Sequence, residues 1–207
     1  MERHLPFFFA WTEETMGDGD AEEGREYRTA IVTERLRLRP RQAADDIAVQ
    51  ALAANPAIAP NLCATIPADA GGPLVIAERL TGRLIGAADC GLTGLGSGVE
   101  VALWIGEPDW GRGFATEAAQ ALIDHAFAEK SVGILWCSNR VTNERARRVI
   151  EKCAFQFRGS GMVRLAGRGA FPIERFALDR RNWMSLKAWG AAAATRGTRH
   201  APRETAA

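Results

Sequence analysis

The chain has no CxxC pair, no long apolar run and no excess of one sign of charge, and each absence closes off a class of function. Its four cysteines, Cys63, Cys90, Cys137 and Cys153, stand in apolar or strand-like surroundings without the histidine spacing of a zinc site. They read as reduced thiols, and no metal is expected. A membrane-spanning helix needs about 18 consecutive apolar residues, and no run approaches that length. The nearest, LPFFFAW at 5–11, follows Arg3 like a short signal peptide. It contains Pro6 and leads into acidic TEETMGDGDAEEGRE with no small-residue cleavage site, so a cytoplasmic rather than a secreted protein is expected. With 26 Lys+Arg against 25 Asp+Glu, the formal net charge of +1 gives no overall attraction to nucleic acid or to an anionic membrane. Neither is expected as a partner; a small ligand read by a local patch is.

What is present suits one sizeable core with loose ends: 207 residues, 47% hydrophobic and 25% charged. Residues 1–29 read as a flexible N-terminal extension, acidic and glycine-containing over 12–28, whose aromatic cluster docks on the domain or on a partner. A start of translation at Met16 is the other reading of this segment. Residues 30–187 form the expected domain, and 188–207, a mixture of alanine and arginine, a disordered basic tail.

Within the domain the hydrophobic period changes in an orderly way. TERLRLRP at 33–40 alternates Leu36 and Leu38 with arginines, the mark of a half-buried strand stopped by Pro40. QAADDIAVQALAAN at 42–55 places Ile47, Ala51 and Leu52 at helical spacing and ends before Pro56. PLVIAE, RLIGAADCGL and GVEVALWIGE are three strands separated by turn sequences, and read as antiparallel neighbours. TEAAQALIDHAFAEK is an amphipathic helix with Ala118, Leu122, Ala126 and Phe127 on its core face. GILWCSN is a strand, TNERARRVIEKCA a helix, and GMVRLAG and FPIERFALD are two closing strands. The fold class is therefore α+β with a mixed sheet, since a crossover helix after residue 114 requires its flanking strands to be parallel.

The join in WIGEPDWGRGFATEA is where chemistry concentrates. A strand turning sharply into a helix leaves the first amide N–H groups without intrahelical acceptors, beside the positive end of the helix dipole. Such a place attracts phosphate. Gly111 and Gly113 let the main chain approach a bulky anion, Arg112 adds a cation and Thr116 a hydroxyl. Taken alone, the glycine pair is equally a tight turn.

DWGRGFATEA resembles the acyl-CoA pyrophosphate loop of the GNAT acetyltransferase superfamily, in the form found in the branch that acetylates ribosomal-protein N-termini. TERLRLRP is similar to that branch's first strand, VEVALWIGEPDWG to its fourth, and TNERARRVIEKCAFQFRG to its asparagine-containing helix and sixth strand, over about residues 30 to 180. The resemblance implies a central sheet of six to seven strands flanked by helices, with a V-shaped splay between the fourth and fifth strands, here 99–105 and 133–139. It implies acetyl-CoA as co-substrate, its pyrophosphate held by Gly111, Arg112, Gly113, Phe114, Ala115 and Thr116, and its pantetheine paired with Leu103, Trp104 and Ile105 like an added strand. Asn143 matches the family asparagine that reaches the pantetheine or the acceptor; on sequence grounds it is equally a helix N-cap.

The implied reaction is N-acetylation of a primary amine, on a protein N-terminus or a small molecule, by direct attack on the thioester. An amine protonated at neutral pH needs a base. Glu100 shares one strand face with Ala102 and Trp104 and is the first candidate, with a surface ion pair as its structural alternative. His125 and Asp89 rank below it. Some positions depart from the family: Ala146 replaces a serine near the CoA sulfur, Ile150 a tyrosine acid, and Cys153 and Ala154 a leucine and a glycine. Residues 56–72 are too few for the family's second helix, so the acceptor slot is expected to be open, or completed by the N-terminal aromatic segment or by another subunit in a homodimer. The departures keep alive a catalytically weak or inactive acyl-CoA-binding regulatory module. A Rossmann-type nucleotide site would need a second parallel βαβ unit and an acid ending its second strand, and neither is visible.

Overall fold

In the computed structural model, which describes residues 9–11, 30–61, 73–92, 98–129, 132–165 and 169–198, the period-two segments are strands and the longer amphipathic ones helices. The strands are β1 (Phe9–Trp11), β2 (Ile31–Val32), β3 (Leu36–Pro40), β4 (Leu74–Glu78), β5 (Leu84–Leu92), β6 (Val99–Ile105), β7 (Ile134–Arg140), β8 (Gln156–Leu165) and β9 (Gly169–Asp179). The helices are α1 (Asp46–Ala53), α2 (Phe114–Glu129), α3 (Glu144–Lys152) and α4 (Arg180–Thr198). Among the described residues the strands make one mixed sheet in the order β1-β8-β9-β7-β6-β5-β4-β3-β2. Neighbours run antiparallel except β1 with β8 and β6 with β7. The sheet is wider than the expected six to seven strands because β1 and β2 extend its two edges.

Each face of the sheet carries its own core. On one, Leu36, Leu38, Val101 and Ile105 meet Ala118, Leu122, Ala126 and Phe127 of α2, the four helix residues read from the sequence. On the other, Val75, Ala87 and Trp104 meet Val49, Ala53 and Ile58. Of the α1 residues read at helical spacing, Leu52 packs against this core, but the helix buries Val49 and Ala53, four apart, and leaves Ile47 83% exposed. In so short and alanine-rich a helix, apolar residues occur on every side, and packing rather than periodicity chooses the face.

The expected domain limits also shift. Phe9–Trp11 of the N-terminal extension pair in parallel with Gly161–Val163, so part of that segment belongs to the sheet; residues 1–8 and 12–29 lie outside the described residues. Likewise α4 runs to Thr198, which corrects the expected disordered tail from 188. The run Ala191–Ala194 has the strongest intrinsic helix preference and prolongs a helix already anchored through Trp183. Residues 199–207 lie outside the described set, as do 62–72, where the family's second helix would fall.

One feature of the sheet positions the candidate site. β6 and β7 share only the pairs Val99↔Leu135 and Glu100↔Trp136. Beyond them β6 stays with β5 as far as Gly86↔Ile105, and β7 stays with β9 as far as Arg140↔Ile173. Each strand keeps its outer partner and loses its inner one, so a V-shaped gap opens in the middle of the sheet, as expected.

Candidate active site

The N-terminus of α2 stands at the wide end of that gap. β6 ends at Ile105, a single 3-10 turn spans Glu107–Asp109, and Gly111 (φ 76°) and Gly113 (φ 82°) reverse the chain into Phe114. A Cβ on Gly111 would meet nothing within 4 Å, and one on Gly113 only Arg35 Nη2 at 3.4 Å. Left-handed backbone, rather than crowding, is what demands glycine here. Glu117 N–H is bonded to Gly113 O at 3.1 Å, so the amides of the turn before it have no intrahelical acceptor and face the gap with the helix dipole behind them.

Ion pairs between residues distant in sequence hold this turn in place. Asp109, 3% exposed, accepts Nη1 and Nη2 of Arg83 at 2.8 and 2.7 Å and Nη1 of Arg112 at 2.7 Å. Arg112, expected on the pyrophosphate, thus lies against Asp109, also 3.4 Å from Glu78, with its guanidinium 4.6 Å from the Phe114 ring centre. On the other side Glu117 accepts from Thr33 Oγ1 (2.5 Å) and from Arg35 N (2.9 Å) and Nε (2.7 Å), while Arg35 Nη1 bonds Arg112 O at 3.0 Å. Burial opposes ionisation of Glu117, but these hydrogen bonds outweigh it and hold the carboxyl below its ordinary value.

Arg83, against the opposition of burial, likewise holds Asp109 below the usual carboxylate range. A depressed folded-state pKa contributes stability that is fully present above the unfolded value of about 4 and is lost as the pH falls from there through the lower folded-state value. Asp109→Asn should therefore cost about 3 kcal/mol near neutral pH, at the lower end for breaking a buried pair because Arg83 and Arg112 can turn to water. Urea titrations of variant and parent should converge as the pH drops below about 4. A pH-independent gap would assign the loss to packing instead.

The gap itself is a cleft of about 820 Å³ passing through the sheet, from α2 and α3 on one face to Ala57, Ile58 and Asn61 on the other. The backbone of β6 alternates along its edge. Gly106 N–H bonds Ile85 O on β5 at 2.7 Å, and a Cβ on Gly86 would lie 2.1 Å from Trp104 O, so even-numbered residues turn their polar groups to β5. By the same parity Val101, Leu103 and Ile105 turn theirs to the gap. Of the three residues expected to meet pantetheine, Leu103 and Ile105 have their backbone polar groups on the gap side, where Ile105 O accepts Trp110 Nε1 at 2.7 Å. Trp104 instead lends its side chain to the α1 core.

Asn143 caps α3, its Oδ1 accepting Ala146 N–H at 3.1 Å, and the residue also lines the cleft. Ala146 and Ile150 line the same wall and bring no hydroxyl. Cys137 and Cys153 lie there too. Burial, and then the charge of Glu100, pushes the Cys137 thiol up, and burial raises Cys153 to about 11, so both stay protonated at neutral pH. Glu100 is 1% exposed at the closed end of the V, one residue before the walls begin, and so lies inside the sheet rather than on its surface. Asp89, 4% exposed and paired in register with Ala102, shares its face. His125 borders a separate groove beside Ile31 and Val32, away from the cleft. Among the described residues no cluster could hold a metal ion, and no described helix is long and apolar enough to cross a membrane.

The family model for the acetyltransferase (GNAT) domain matches residues 35–156, more than half of the chain. The chain belongs to the GNAT acetyltransferases. Solved GNAT structures share its fold at low identity. An acetyltransferase from Agrobacterium tumefaciens is 24% identical (TM-score 0.60), over 75% of this chain and 96% of that one. The ribosomal-protein-S5-alanine acetyltransferase of Vibrio fischeri is 14% identical (TM-score 0.61; 75% and 98%). RimL, a ribosomal L7/L12 α-N-protein acetyltransferase in complex with coenzyme A, is 16% identical (TM-score 0.59; 74% and 99%). No curated protein sequence matches the chain. GNAT acetyltransferases as a family use acetyl-CoA.

Proposed function

We propose that the protein is an acetyl-CoA-dependent N-acetyltransferase acting on a primary amine. The observation that carries this reading is the alignment of three things: uncapped amides at the start of α2, a through-sheet gap beginning beside them, and a buried carboxylate where the gap closes. The amides of Gly113 to Thr116 suit a diphosphate. The gap-facing polar groups of Val101 and Leu103 suit the pantetheine amides, which would fill the place of the missing inner strand. The thioester carbonyl then lies near the vertex, where a β6 N–H stabilises the developing oxyanion. The amine approaches from the α1 face, the face of Glu100. Its nitrogen bonds to the acyl carbon, the C–S bond breaks with its electron pair on sulfur, and Glu100 takes the amine proton directly or through water.

The acceptor is a peptide N-terminus in the first instance and a small amine in the second. Relatives of the same fold are named for acetylating ribosomal proteins S5 and L7/L12. The absence of hydroxyls at Ala146 and Ile150 favours the competing reading of a regulatory acyl-CoA-binding module, and one assay separates them. Thiol release from acetyl-CoA, followed across a panel of N-terminal peptides and small amines, should show turnover with at least one acceptor. Tight binding of acetyl-CoA with no turnover on any of them would leave the regulatory module as the better account.

A further inference from the structure

We infer that Ser138 of β7 is a further catalytic residue, which donates a hydrogen bond to the sulfur as the CoA thiolate leaves. The inference rests on the reading of the gap as the acyl-CoA slot. In a parallel pair, residues in register point to the same face, so Ser138 lies on the face of Trp136, Glu100 and Ala102. Continuing the register by two residues past Glu100↔Trp136 would set Ala102 opposite Ser138, at the first position where the strands have parted. Trp136 closes the vertex behind them, its ring lying where a Cβ on Gly98 would come within 2.8 Å of Cδ1. A pantetheine arm entering from the α2 end and running along β6 toward that vertex brings its sulfur between Ala102 and Ser138.

The hydroxyl itself is in an unusual state. Ser138 Oγ is shielded from solvent and has no hydrogen-bond partner among the described residues, although the residue lines the cleft. Leaving a buried hydroxyl unbonded is costly, and a ligand that accepts from it recovers that cost. Among the described residues lining the cleft, the other hydroxyls are Thr116 and Thr142. Thr116 belongs to the first turn of α2 at the wide end, and Thr142 is exposed before α3. The thiols of Cys137 and Cys153 are weak donors. Ser138 thus restores, from a strand, the hydroxyl that α3 lacks at Ala146 and Ile150. During the step the electron pair of the C–S bond moves to sulfur and the serine proton stays on Oγ, shared with the thiolate. Solvent protonates the thiol after release.

The test compares CoA with desulfo-CoA by calorimetry at about pH 9, where the free thiol is largely ionised. Ser138→Ala should weaken CoA by about tenfold or more while changing desulfo-CoA less than twofold, since a hydrogen bond to a charged sulfur is lost in one case only. Ser138→Thr, which keeps the hydroxyl, should retain most of the discrimination. In steady-state assays Ser138→Ala should lower kcat by about 10- to 100-fold with the KM for acetyl-CoA nearly unchanged. Equal losses for both ligands, or none, overturn the inference and leave Ser138 a packing residue. Failure of the parent protein to bind either ligand removes the acyl-CoA slot itself, and the role of Ser138 with it.

Discussion

Replacing Gly113 with aspartate should lower affinity for acetyl-CoA by at least about a hundredfold in calorimetry, with the fold intact. The new carboxylate stands at the start of α2, within about 5 Å of any diphosphate held there, and at an effective dielectric of about 20 one such repulsion is worth roughly 3 kcal/mol, or two powers of ten. Arg35, whose Nη2 would lie 3.4 Å from the added Cβ, can swing toward the aspartate, but only by leaving Glu117, to which it is bonded at 2.6 Å. Gly113→Ala separates charge from backbone. It introduces no anion yet forces a left-handed conformation, with a cost of about 1–2 kcal/mol, so its expected loss is about tenfold. A Gly113→Asp variant that is well folded by circular dichroism and binds acetyl-CoA like its parent would take the helix terminus out of the site.

The parts of this site that follow local rules were legible in the sequence. Leu36 and Leu38 alternate with arginines because β3 has one core face, and Leu122 and Ala126 recur at four because α2 has one. Gly111 and Gly113 announce themselves because few other residues adopt a positive φ. The parts that escaped depend on distant neighbours. Asp109 reads as an ordinary turn residue, and its partner Arg83 lies 26 positions earlier in a hairpin that looks equally ordinary. Arg112 reads as a phosphate ligand until Asp109 and Glu78 are seen beside it. Trp104 sits in a strand that does line the cleft, but which edge its backbone serves is fixed by the pairing of β6 with β5, and no period-two pattern reveals that. Ser138 is one polar residue among several in β7. Only the parting of the strands next to it gives its hydroxyl a place to act.

Glu100→Gln should lower kcat by about 100- to 1000-fold, within the range that general-base catalysis contributes, while the KM for acetyl-CoA moves less than about twofold. The substitution keeps volume and hydrogen-bonding atoms and removes only basicity, so at a site 1% exposed it disturbs packing little. Its pH profile provides the discriminating readout. An α-amino acceptor has an ordinary pKa of about 8, so without a protein base the residual rate should climb with pH until the acceptor has deprotonated itself in solution. The parent should instead reach its plateau at lower pH. Asp89 lies diagonally across the β5–β6 pairing on the same face and is the other carboxylate that can take the proton. If Glu100→Gln turns over like the parent while Asp89→Asn loses both rate and plateau, the proton leaves through β5 and not through the vertex of the V.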